Sequence, residues 1–145
     1  MAAVVKSTKA GYDAISASKC INISELLTAG PGLAFAKLDP VYIDSDGKVR
    51  PANDDSSSVN FDGFAMSKND SDGGLPCTIM GLGLIMEWLE DSDGYTPGTQ
   101  LYVGAANQLE TTGRVPVALT ISDKEIIVIQ APGVRRTTDG VALVK

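Results

Sequence analysis

Two stretches sixty positions apart follow the same pattern, and this duplication constrains the chain more than any other feature. In the first, Val41, Tyr42 and Ile43 run into Asp44, Ser45, Asp46 and Gly47, after which Lys48, Val49 and Arg50 resume an alternating pattern. A β-branched and aromatic triplet before an Asp-Gly pair predicts a β-hairpin, because glycine takes the positive φ of a tight turn at little steric cost. In the second stretch Leu101, Tyr102 and Val103 stand in the places of residues 41–43. Asn107, which tolerates left-handed backbone, replaces Gly47, and Leu109 replaces Val49. Leu38, Asp39 and Pro40 lead into one copy, and Thr96, Pro97 and Gly98 into the other.

The correspondence continues past the hairpins. Phe64, Ala65, Met66 and Ser67 match Val117, Ala118, Leu119 and Thr120 at an offset of fifty-three, the difference falling in the connecting loops. The first loop, Ala52 to Asn60, is rich in Asn, Asp and Ser and predicts an exposed or mobile segment; the second is Thr111 to Arg114. A duplicated hairpin-plus-strand unit predicts a mainly β chain, a small barrel or sandwich with two sheet halves around a shared core. Cys77 to Trp88 adds strand sequence with a bulge or tight bend at Gly81 and Gly83. Ile126, Ile127, Val128 and Ile129 predict a strand covered on both faces.

Outside this body the pattern weakens. Residues 1–22 hold Val4, Val5, Tyr12, Ile15 and Ile21 with no steady period of 2 or 3.6 and predict an extended amino-terminal arm. Ser24 predicts the cap of a short helical turn through Glu25, Leu26 and Leu27, stopped by Gly30 and Pro31. The body therefore spans 23–130. Ala131, Pro132 and Gly133 end the sheet, and 131–145 form a loosely held tail in which Arg135 and Arg136 sit at the surface.

Charge and composition narrow the function. A formal net charge of −6 repels phosphate backbones, so no direct nucleic-acid partner is expected. The longest apolar stretch, Ile79 to Met86, is interrupted by Gly81 and Gly83 and falls far short of the ~20 residues that span a bilayer, so no membrane partner is expected. No basic segment followed by a long apolar one opens the sequence, which predicts a soluble protein made in a reducing compartment, with Cys20 and Cys77 as buried free thiols.

With no histidine, Ser-His and Cys-His catalysis are excluded, and the lysines lie singly in turns or tails. The Asp44 to Gly47 element resembles the opening of a calcium loop, yet Lys48 stands where a third ligand belongs and Asp55 where the closing glutamate belongs; a hairpin turn is the better reading. Glu87, Glu90, Asp91 and Asp93 read as a solvated acidic turn. Trp88, Tyr95, Tyr42 and Tyr102 read as packing residues in preference to sugar-stacking platforms. No enzymatic activity, metal or cofactor is expected.

Five segments carry a family resemblance. Pro40 to Asp44, Gly47 to Val49, Phe61-Asp62-Gly63-Phe64-Ala65, Tyr95 to Gly104 (with Thr96-Pro97-Gly98-Thr99-Gln100-Leu101-Tyr102-Val103-Gly104 the most specific), and Val115 to Leu119 resemble head decoration, or cement, proteins of tailed double-stranded DNA bacteriophages. The resemblance spans residues 35–130 and implies a β-barrel or β-tulip body with an amino-terminal arm, assembled as a homotrimer on the outer capsid surface of a virion put together in the host cytoplasm. It implies the major capsid protein as partner and a clamping function without chemistry. An arm that orders on docking would use Val4, Val5, Tyr12, Ile15 and Ile21 as apolar anchors against the capsid. The competing expectation is a carbohydrate-binding or other accessory virion module of tail or baseplate.

Overall fold

The computed structural model describes residues 3–11, 22–30, 34–54, 58–70, 72–90, 95–104 and 108–137. All regular structure among them is β, with no helix. The strands are β1 (Ala3–Val4), β2 (Lys6–Gly11), β3 (Asn22–Ala29), β4 (Pro40–Ile43), β5 (Lys48–Pro51), β6 (Asn53–Asp54), β7 (Ser58–Phe61) and β8 (Gly63–Ala65). They continue as β9 (Pro76–Met80), β10 (Ile85–Leu89), β11 (Gln100–Val103), β12 (Leu109–Glu110), β13 (Pro116–Thr120), β14 (Glu125–Val128) and β15 (Val134–Thr137).

The duplication is realised as two units. In the first, β5-β4-β8-β9 lie side by side and β3 closes them into a barrel; in the second, β12-β11-β13-β14 lie in the equivalent order within a seven-stranded sheet. The hairpin registers coincide across the repeat, for Ile43 faces Val49 as Val103 faces Leu109, and Tyr42 faces Arg50 as Tyr102 faces Glu110. Gly47 holds φ 77° in the first turn, as the Asp-Gly pair predicts.

Alternation along the shared strands divides the core. Val41, Val49, Ala65, Cys77 and Ile79 fill the barrel, whereas Phe61, Phe64, Met86, Trp88, Leu101 and Ile126 belong to a larger cluster under the sheet. Successive residues on a strand point to opposite faces, so Ala65 faces into the barrel while Phe64 packs outward under the sheet. The wall β8–β9 is thus covered on both sides. Trp88 donates its Nε1–H to the Leu38 carbonyl at 2.8 Å, tying the sheet to the segment that leads into β4.

The amino terminus departs from the expected arm. β1 pairs with β12 at one edge of the seven-stranded sheet and β2 pairs with β10 at the other, and only Val5 separates them. The sheet therefore curls until its two edges are bridged by one continuous piece of chain. Val4 is 5% exposed and part of the core, and Lys6 donates to the Asp39 carboxylate and to the Lys37 carbonyl at 2.7 Å. Backbone pairing holds residues 6–11 although their side chains, Lys, Ser, Thr, Lys, Ala and Gly, show no apolar alternation.

Four further expectations are corrected. The helical turn after Ser24 is instead strand β3, whose pairing to β9 is interrupted by register shifts between Asn22 and Ser24 and between Ser24 and Leu27; closure of the barrel outweighs the local capping signal. The segment 52–60 is no simple exposed loop, because Ala52 and Val59 are fully buried and β6 pairs with β7. The tail beyond 131 contains β15, which pairs with β7 from Val134 against Phe61 to Thr137 against Ser58. In β14, Ile126 and Val128 are buried while Ile127 is partly exposed, so this strand is covered on one face, not two.

Candidate interaction face

A cleft of about 560 Å³ opens beside the first hairpin, lined by Ile43, Asp44, Asp62, Pro132, Gly133 and Arg135. Its charged groups are consumed by the fold. Asp62 Oδ2 accepts from the Ile43 N–H at 2.7 Å and from Arg135 Nη2 at 2.6 Å, while Oδ1 accepts from the Gly133 N–H at 2.6 Å and from Arg135 Nη1 at 3.2 Å. Arg135 also donates to the carbonyls of Val134 at 2.7 Å and Ile43 at 2.8 Å, and its guanidinium lies 5.4 Å from the Tyr42 ring centroid. Four acceptor directions filled by four donors leave the Asp62 carboxylate no capacity for a ligand. Arg135 is therefore a partly buried clasp that seats the carboxy-terminal strand, in place of the surface charge expected from the sequence.

Asp44 is likewise structural. Its Oδ1 accepts from the N–H groups of Asp46 at 2.8 Å and Lys48 at 2.9 Å, and Oδ2 accepts from Arg50 Nε. Partial burial disfavours the charged carboxylate, but the Arg50 hydrogen bond and those two N–H groups outweigh it and hold the carboxyl below its usual range. The same contact raises the Arg50 guanidinium against a smaller opposing effect of burial. Burial pushes the Cys77 thiol upward, which makes it a poor nucleophile at neutral pH. Cys20 lies outside the described residues.

Among the anchors expected for capsid binding, Val4 is in the core and Val5, 58% exposed, sits between the two edge strands; Tyr12, Ile15 and Ile21 lie outside the described residues. The structure thus does not bring Val4 and Val5 together on one free surface. Trp88 is buried and out of reach of a sugar ring, which fits its reading as a packing residue. Of the acidic turn, Asp91 and Asp93 lie outside the described residues, and among those described no three metal-ligating side chains converge.

The outer face of the seven-stranded sheet carries a feature the sequence reading missed. Ile85, Ile127 and Leu119 are cross-strand neighbours on β10, β14 and β13, all partly exposed. In the next row Glu87 stands directly opposite Glu125, and the Ile121 N–H donates to the Glu125 carbonyl at 2.9 Å. Ile121 and Ile129 are 40% and 37% exposed. The signal was present as alternation in Glu125, Ile127 and Ile129, masked because Ile126 and Val128 between them are apolar too. Comparison with family models, curated proteins and solved structures returned no match to this chain.

Proposed function

We propose that this chain is a structural virion protein that binds the outer surface of a phage capsid as a homotrimer and stabilises it by clamping neighbouring major capsid subunits. The observation that carries this reading is the sequence resemblance in the five segments from Pro40 to Leu119, together with their mutual engagement in the fold. Gly98 N–H donates to the Thr120 carbonyl at 2.7 Å, and the Thr120 hydroxyl donates to the Thr96 carbonyl at 2.8 Å, so the Thr-Pro-Gly-Thr turn is fastened to the strand that follows the second hairpin. In the first unit the Asp62 N–H donates to the Val41 carbonyl at 2.9 Å while its carboxylate receives Ile43. Motifs that share one scaffold in this way support a common body and not scattered similarity.

Because residues 3–11 belong to that body, clamping falls to its surface and not to a free leading segment. A trimer that touches several subunits gains from effective concentration what each contact lacks. The test is to mix purified protein with expanded capsids that lack it, then measure co-sedimentation and capsid melting, with sedimentation velocity of the free protein. Binding at saturating stoichiometry with a raised capsid melting temperature supports the reading; no binding, or binding to tail structures alone, removes it.

A further inference from the structure

We propose that the outer face of the seven-stranded sheet, centred on Ile127 and the facing pair Glu87 and Glu125, docks onto a protein surface that presents lysine or arginine side chains beside apolar ones. This rests on the capsid-binding reading and names the face that would make the contact. Two observations argue for it independently. Ile85, Leu119 and Ile127 on adjoining strands, with Ile121 and Ile129 just past the ends of β13 and β14, place five large aliphatic side chains together, all partly or substantially exposed. A contiguous apolar patch of this kind on a folded chain marks an interaction site, whereas isolated exposed aliphatics do not.

The second observation is electrostatic. Like charges directly opposite each other on neighbouring strands are destabilising, yet Glu87 and Glu125 face each other at the patch with no ion pair among the described residues. An arrangement that weakens the isolated protein is explained when a partner brings the compensating charge. A twofold contact between copies through this face fits poorly, because it would set the same two carboxylates of each copy together. Lys6, Arg50, Arg114 and Arg135 are moreover already paired with Asp39, Asp44, Asp54 and Asp62 within the chain. The partner assigned to this face is a different protein whose surface sets basic side chains beside apolar ones.

The deciding variant is Glu87→Lys, which turns a repulsive pair into an attractive one. It should melt at a higher temperature than the parent while binding expanded capsids at least about tenfold more weakly. Asp72→Lys, the same charge change on an exposed loop of the barrel unit, should bind like the parent, and Ile121→Ser with Ile129→Ser should weaken binding without unfolding. If the parent binds and Glu87→Lys binds equally well, this face is not the contact, although the capsid reading stands. If the parent does not bind capsids, that reading falls, and the face is judged by amide shifts of labelled protein titrated with a synthetic amphipathic Lys-Leu peptide. Shifts grouped at Ile85 to Glu87, Leu119 to Ile121 and Glu125 to Ile129, lost in Glu87→Lys, support the inference. Shifts elsewhere or none, or shifts of the same amides with protein concentration alone, which would mean a second copy seated there, overturn it.

Discussion

Arg135 grips Asp62 across 73 positions of chain through two parallel contacts, one of 2.6 Å and one of 3.2 Å, with both side chains largely shielded from water. Removing one partner of such a pair strands the other, at a cost of about 3–5 kcal/mol. Asp62→Ala should be the more damaging change, since it strips the guanidinium of its counter-charge, leaving it only backbone carbonyls, and orphans the N–H groups of Ile43 and Gly133. Arg135→Ala leaves the carboxylate two donors and should cost less, and a double-mutant cycle by urea unfolding should show a favourable coupling between the two. Equal losses, or no coupling, would contradict the clasp.

Deleting residues 1–11 is expected to unfold or aggregate the protein and not to release a folded core. The deletion removes the piece of chain that, among the described residues, bridges both edges of the seven-stranded sheet and exposes two unpaired strand edges, β12 and β10. Circular dichroism and size-exclusion chromatography of the truncated chain decide the matter; a monodisperse, cooperatively melting product would refute the bridging role.

Glu110 is 7% exposed, and its Oε2 has no hydrogen-bond partner. Glu110→Gln should raise the unfolding free energy by about 1 kcal/mol, because burying an amide without a full set of partners costs less than burying a carboxylate so placed. Gly104 lies beneath the same side chain, where an added Cβ would fall 2.6 Å from Glu110 Cγ and Cδ. Gly104→Ala should therefore destabilise by about 1–3 kcal/mol, and pairing it with Glu110→Ala should recover part of that loss.

The depressed carboxyl of Asp44 predicts an acid-dependent contribution of defined sign. A group whose folded pKa lies below its unfolded one stabilises fully above the unfolded value and loses that effect as pH falls through the folded value. The stability gap between the parent and Asp44→Asn should be constant above about pH 5, shrink as pH falls further and level off below the usual carboxylate range. Urea midpoints from pH 2 to 7 measure it; a gap that widens on acidification would show the sign to be wrong.

Capsid binding, if the proposed function holds, should weaken as salt rises, because exposed Glu87 and Glu125 would contribute through long-range attraction screened over about 10 Å at 0.1 M ionic strength. Co-sedimentation across a salt series checks this, and a salt-independent isotherm would point to a purely apolar contact.

What the sequence alone determined is the local grammar of the two units. The Asp-Gly turn at Gly47, the matched triplets at Val41 and Leu101, the glycine bend between Cys77 and Trp88 and the all-β character each follow from backbone preference or alternation within a few residues. Only the tertiary structure decided the fate of Lys6–Gly11, Asn22–Ala29 and Val134–Thr137. These strands pair with partners distant in the chain, and their own side chains carry weak or contrary signals: polar residues along β2, a helix-like start in β3, paired arginines in β15. Strand formation there is driven by backbone hydrogen bonds that exist only once the sheet edges are in place, so no local pattern announces it. The same holds for the outer face of β14, where the neighbours Ile85, Leu119 and Glu87 come together by register alone.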